Sequence, residues 1–174
     1  MLWQNNSVPL WFRSATPAII DGEIYTAGIS YLCKVGLNTG AITQTMNTVK
    51  EVFDSTSYPV TDGEYVYYSS STMGVVAVEK THLNIVRHYP ASRSVVHTVP
   101  YVTGDAQSVE SHPILYKDML IFGASDGYLY IYEKDSEKLI EKFDLGSPCF
   151  TSPIVEDDKI TTVTMDGEVL TYSL

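Results

Sequence analysis

"ATPAIIDGEIYTAG", residues 15–28, reads as a short strand, a tight turn and a second strand. Asp21-Gly22 lies between two apolar runs, and a two-residue turn with the twist of a hairpin needs positive φ at both central positions. The same grammar returns at 151–167 as "TSPIVEDDKITTVTMDG". Aligning the prolines of the motif gives Pro17, Pro59, Pro113 and Pro153, at intervals of 42, 54 and 40 residues. Self-similarity at such a period marks a repeat architecture.

The four versions are "PAIIDGEIYTAG", "PVTDGEYVYYSS", "PILYKDMLIFGA" and "PIVEDDKITTVT". Units one and two carry Asp21-Gly22 and Asp62-Gly63 at the first turn; units three and four carry Lys117-Asp118 and Asp157-Asp158. A second turn follows in each unit, at Gly28-Ile29-Ser30, Met73-Gly74, Asp126-Gly127 and Asp166-Gly167, and a third falls in "LNTGA", "KTHLN" and "KDSEK". Three turns joining four strands describe an antiparallel meander, and helical periodicity is absent. In "YLYIYE", residues 128–133, both strand faces are apolar, whereas a sheet with one wet face would alternate apolar with polar. The sheets are therefore expected to be covered on both sides. Radial stacking of four-stranded blades does this, and it places each proline at the start of an edge strand where a missing N–H costs little.

A chain of 174 residues can build one substantial core. Its formal net charge of -10, with 44% hydrophobic residues, disfavours nucleic acid and anionic membrane surfaces as partners. No apolar run is long enough to span a bilayer as a helix, and "MLWQNNSVPLWF" has neither the basic start nor the continuous apolar stretch of a signal peptide. The chain reads as cytosolic, or as a mature or excised segment. Cys33 and Cys149 form no CxxC pair and read as two small buried hydrophobes.

The pattern "SxP-apolar-apolar-x-DG-x-apolar-Y", then "DG-Y-L-Y-I" and "L-N-T-G", resembles the pyrroloquinoline-quinone-like propeller repeat over about residues 14–172. That family includes quinoprotein dehydrogenases and a periplasmic lipoprotein of the outer-membrane barrel assembly machinery. The resemblance implies a β-propeller and a periplasmic or extracellular setting. The Trp that usually follows the Thr-Gly turn is missing after Thr39-Gly40, and Trp3 and Trp11 instead precede the first repeat. No vicinal Cys pair is present, and the base and calcium ligands of the dehydrogenases find no matching positions. Neither the quinone nor calcium is expected as a cofactor.

Unit four ends one strand short, while "SVPLWFR", residues 7–13, has no partner of its own. Pairing the two would complete the last blade and remove an exposed edge. The pairing can occur within the chain, between two chains as a strand-exchanged homodimer, or with further blades of a longer protein. The interval between Pro59 and Pro113 holds an insertion at 89–111, within a stretch from His82 to His112 that contains all four His. Long loops in compact domains tend to be functional. Arg87, His88, Arg93 and His97 offer donors to an anionic or carbohydrate group, with Tyr89 and Tyr101 as stacking surfaces. The other reading is a decorated loop of scattered, solvated side chains. No metal site is expected, since His88 and His97 are too far apart for a local ligand pair. Asp126-Gly127 and Asp166-Gly167 read as hairpin turns and "EKDSEKLIEK", 133–142, as a solvated outer strand.

The expectation is an all-β single propeller domain or propeller fragment over 1–174, of about four blades with repeats at about 14–46, 56–88, 110–143 and 150–174. Its expected role is non-catalytic recognition of a protein or glycan. The alternatives are a degenerate or partial quinoprotein dehydrogenase and an accessory domain of a hydrolase.

Overall fold

The computed structural model describes residues 1–8, 15–47 and 53–174. The expected N-terminal strand at 7–13, with Trp11, lies largely outside the described residues. The described chain holds strands and turns without a helix. The strands are β1 (Ala18–Ile20), β2 (Glu23–Ala27), β3 (Tyr31–Gly36), β4 (Ile42–Asn47), β5 (Val60–Thr61), β6 (Tyr65–Ser70), β7 (Gly74–Glu79) and β8 (Ile85–Tyr89), followed by β9 (Ile114–Tyr116), β10 (Met119–Gly123), β11 (Tyr128–Glu133), β12 (Lys138–Asp144), β13 (Ile154–Glu156), β14 (Lys159–Val163) and β15 (Val169–Ser173). They form four antiparallel meanders: β1–β4, β5–β8, β9–β12 and the three-stranded β13–β15. These are the blades of a β-propeller.

Each blade hides its neighbour's apolar face. One cluster packs Tyr25, Leu32 and Ile20 of blade 1 against Val66, Tyr68 and Val76 of blade 2. A second joins Tyr67, Val75 and Tyr89 of blade 2 to Leu120, Phe122, Tyr130 and Tyr132 of blade 3. A third joins Ile121, Leu129 and Ile131 of blade 3 to Ile160, Leu170 and Tyr172 of blade 4. Among the described residues no cluster joins blade 4 to blade 1. The expectation that every sheet is covered on both faces therefore fails at blade 4, where Ile154 and Val169 are exposed.

The first turns differ in their chemistry. Asp21 and Gly22 both have positive φ (50° and 78°), as the Asp-Gly signal requires. Asp157 and Asp158 adopt the same pair of conformations (48° and 57°) without a glycine. In blade 2 only Gly63 is left-handed, at 99°. Asp62 instead accepts the Glu64 and Tyr65 N–H groups on its Oδ1 (3.0 and 2.8 Å), so the turn is longer than the two-residue form its Asp-Gly suggests.

A feature the sequence pattern does not reveal recurs in three blades. The fourth strand bulges against the third between Lys34 and Val35, between Ala77 and Val78, and between Ile131 and Tyr132. The additional residues are Thr43, Val86 and Ile140. The bulge explains why Val86 and Ile140 are exposed, because an extra residue leaves the pleat's alternation.

Candidate functional site

The turns of each meander alternate between its two ends. The β1–β2 and β3–β4 type turns share one end, the turn face. The β2–β3 type turns share the other with the blade-to-blade links, and this is the linker face. Both ends are stitched across blade boundaries, by different chemistry.

On the turn face the stitches are ionic. Lys80 of blade 2 reaches Asp21 of blade 1 at 2.7 Å, Lys134 of blade 3 reaches Asp62 of blade 2 at 3.2 Å, and Lys117 of blade 3 reaches Asp158 of blade 4 at 2.6 Å. Partial burial alone would raise the Asp62 carboxyl. The hydrogen bonds from Tyr65 N–H, Tyr67 hydroxyl (2.8 Å), Glu64 N–H and Lys134 outweigh it and hold the group below the usual carboxylate range.

On the linker face the stitches are hydrogen bonds at the residues before three of the repeat prolines, Pro59, Pro113 and Pro153. Tyr58 N–H donates to His112 Nδ1 and His112 N–H donates to Ser152 Oγ, both at 2.8 Å. The Tyr58 ring also packs against the imidazole, tilted by 40°, with centroids 3.8 Å apart. An accepting Nδ1 requires a neutral ring, and burial lowers the His112 pKa accordingly. Aligning the four prolines brings Tyr58, His112 and Ser152 into one column, so the repeat itself carried the signal.

The insertion folds down onto this face. Gln107 bridges in parallel to Met73, with Gln107 N–H to Thr72 O at 3.0 Å and Gly74 N–H to Gln107 O at 2.7 Å. Ser94 N–H reaches Ala106 O at 2.8 Å, and Val95 N–H reaches Ser125 O at 3.3 Å. Gly74 is required here, because a Cβ would collide with the backbone of Tyr89 to Ala91 passing over it. Val99, Val102 and Ala106 form a small core beneath the loop. Two buried carboxylates pin it: Asp54 accepts the Tyr101 hydroxyl, and Glu110 accepts the Thr98 hydroxyl and, at 3.0 Å, the Thr56 N–H. These acids were not among the residues singled out from the sequence, since nothing in the local pattern marks a carboxylate as buried.

The six expected site residues do not converge. Arg87 and Tyr89 lie on the side of β8 facing blade 3. The Arg87 guanidinium sits 4.4 Å from the Tyr65 ring centroid, and Tyr89 is buried in the blade 2–3 core with its hydroxyl donating to Lys134 O. Burial pushes the Tyr89 phenol up to about 12. His88 points the other way and contacts Met73 O. Arg93, His97 and Tyr101 ride on the insertion, all exposed, with Arg93 3.7 Å from Asp105. Among the described residues no group of three or more His, Cys, Asp or Glu converges as a metal would need. Cys33 and Cys149 are buried and free, in separate blades.

Cys149 does structural work. The Cys149 thiol lies against Gly123, where a Cβ would collide with it, and sits 3.1 Å from Thr162 Oγ1. Trp3 packs over Gly40 of the Thr-Gly turn, its Nε1–H donating to Leu37 O at 2.8 Å, so a tryptophan does dock on that turn from elsewhere in the chain.

No protein-family model matches the chain. It is 25% identical over 156 residues to the outer membrane protein assembly factor BamB of Moranella endobia (strain PCIT), covering 89% of this chain and 36% of that protein. Among solved structures, BamB from Moraxella catarrhalis superposes with a TM-score of 0.74 at 12% identity, over 91% of this chain and 48% of that one. The computationally designed Ika4 protein gives 0.72 at 12% identity, over 100% of this chain and 98% of its own. The quinohemoprotein alcohol dehydrogenase of Comamonas testosteroni gives 0.64 at 12% identity, over 85% and 28%. The chain thus spans about a third of the curated relative and about half of the BamB structure. Its repeats are similar in sequence and in fold to those of pyrroloquinoline-quinone-like β-propellers.

Proposed function

We propose that this chain is a non-catalytic, protein-binding propeller acting in the periplasm, and that its partner docks on the linker face across the insertion. One observation carries the reading. The insertion is held from beneath by Asp54 and Glu110 and carries Arg93, Val95, His97 and Tyr101 exposed on its outer side. A loop ordered before binding loses little entropy on docking, and Tyr and Arg are the side chains that dominate interface energies. The sequence likeness to an outer membrane protein assembly factor supports a protein partner of that kind. Glycan recognition through the same side chains is the finer alternative, and an array of glycans is its direct test.

The decisive measurement is binding of the purified chain to the soluble part of the outer-membrane assembly complex from the source organism. Arg93→Ala combined with Val95→Asp, both exposed on the insertion, should weaken it at least tenfold with the melting temperature nearly unchanged. Equal affinity would remove the insertion from the interface. Dye reduction on addition of pyrroloquinoline quinone and calcium would replace this reading with an oxidoreductase.

A further inference from the structure

Blades 1 to 3 end in an outer strand whose free edge is blunted by a bulge, and β8 and β12 add charged side chains. Such devices discourage a further strand from pairing. In blade 4 the outermost described strand is β15, "VLTYS", which pairs with β14 in unbroken register and carries no charge, proline or bulge. Leu174 N–H donates to Asp158 O at 2.8 Å and Glu168 O accepts from Thr164 N–H at 3.0 Å. By the alternation of an antiparallel ladder, Leu170 and Tyr172 then bond to β14. The backbone groups of Val169, Thr171 and Ser173 face the open edge, where no described residue pairs with them.

The surroundings specify what would fit. On one side of the slot Leu170 and Tyr172 are half-buried, and Tyr172 stacks on Phe143 at 4.3 Å. On the other side lie Val169, Thr171 and Ser173, all exposed. Charges at the two ends of β15 are unbalanced: Asp166 and Glu168 lie just before its first residue and Asp157 and Asp158 in the turn beside Leu174, against Lys159 across from Ser173 and Lys117 paired with Asp158. We propose that the open edge of β15 is a docking site for an extended segment of a partner protein, added antiparallel as the fourth strand of blade 4. Its apolar side chains lie over Leu170 and Tyr172, its small polar ones beside Thr171, and basic residues flank it at both ends. Main-chain hydrogen bonds supply the affinity of such strand addition, and alternate side chains with the flanking charges supply the selectivity. This assignment rests on the protein-binding role above and adds a second surface to it.

The test uses the full chain and a labelled synthetic peptide, Lys-Arg-Ser-Ile-Thr-Tyr-Thr-Ile-Lys-Arg. Saturable binding is expected by fluorescence anisotropy, with slowed amide exchange at Val169, Thr171 and Ser173. Thr171→Pro, which removes one outward N–H, should weaken it at least tenfold. Val169→Lys with Thr171→Lys should do the same through exposed side chains that leave the fold intact by circular dichroism. Replacing the peptide's four basic residues by Glu should abolish binding. Equal binding of the Glu-flanked peptide, or indifference to the edge lysines, overturns the proposal. So does protection of those three amides in the peptide-free monomer, which would mean the chain fills its own edge. Protection that grows with protein concentration as the mass doubles would assign the edge to a second copy instead. Val95→Asp should leave peptide binding unchanged, so loss of assembly-complex binding and loss of peptide binding are separable results.

Discussion

Blade 3 and blade 4 present the same register positions to opposite fates. The strand pairings equate Leu32, Val75, Leu129 and Val169 as the residue opening the third strand's forward face, and the first three are 0% exposed while Val169 is 68% exposed. One position inward on the second strand, Tyr25, Tyr67 and Ile121 are buried, whereas blade 4 has Thr161, whose hydroxyl meets Thr171 Oγ1 at 2.9 Å. Ile154, Glu156, Asp157, Lys159 and Thr161 line a shallow depression of about 170 Å³ on that face. Composition follows the neighbour only in part: where a blade leans on another, the sequence places Tyr, Ile and Leu; on the forward face of blade 4, where no described residue supplies an apolar partner, Glu156, Lys159, Thr161 and Thr171 stand beside exposed Ile154 and Val169.

The most forceful way to break this comparison is a matched pair of truncations. Leu129→Ala should cost about 2–5 kcal/mol, as cavities in packed cores do, while Val169→Ala at the equivalent position should cost less than about 0.5 kcal/mol. Urea unfolding measures both, and a loss at Val169 matching that at Leu129 would show that its face is covered in solution.

A second probe asks how far the linker face depends on its polar stitches. His112→Ala removes the acceptor of the exposed Tyr58 N–H and should cost about 0.5–1.5 kcal/mol. The wild-type protein should also lose stability on mild acidification. Burial holds the folded His112 pKa below the ordinary value of about 6.5. Between that value and the lower folded one the unfolded chain binds more protons, so stability rises with pH across this window and falls as pH is lowered through it. Urea midpoints for wild type and His112→Ala should diverge least at the acidic end.

Smaller effects sharpen the picture. The Tyr68 hydroxyl is fully buried without a hydrogen-bond partner among the described residues, so Tyr68→Phe should raise stability by about 1 kcal/mol; the tyrosines of the blade 2–3 interface, which reach Asp62, Asp126 or Pro90 O, should not share this gain. Lys117→Ala removes the pair joining blades 3 and 4 on the turn face. Because both partners are largely exposed, no measurable shift in the urea midpoint is expected, and a clear one would mean that this boundary leans on charge.

Much of the architecture was legible in the residues. Asp-Gly, Asp-Asp and the recurring prolines mark turns and strand starts through local backbone chemistry, and apolar alternation on both faces of "YLYIYE" marks a sheet sandwiched between others. The candidate site was less so. Arg87, His88 and Tyr89 adjoin the insertion in sequence, yet the pleat sends alternate side chains to opposite faces and commits Tyr89 to the core. Asp54 and Glu110 became visible only once the loop lay across them.

The amino-acid order alone determined that the chain is a run of similar meanders, because turn conformation and strand periodicity depend on neighbours within a few residues. Only the tertiary structure decided which faces are buried, which outer strands bulge, where the insertion rests and which edge stays open. Those outcomes depend on packing and hydrogen bonds between separate elements, such as Met73 with Gln107 or Tyr101 with Asp54, for which no local spacing gives notice.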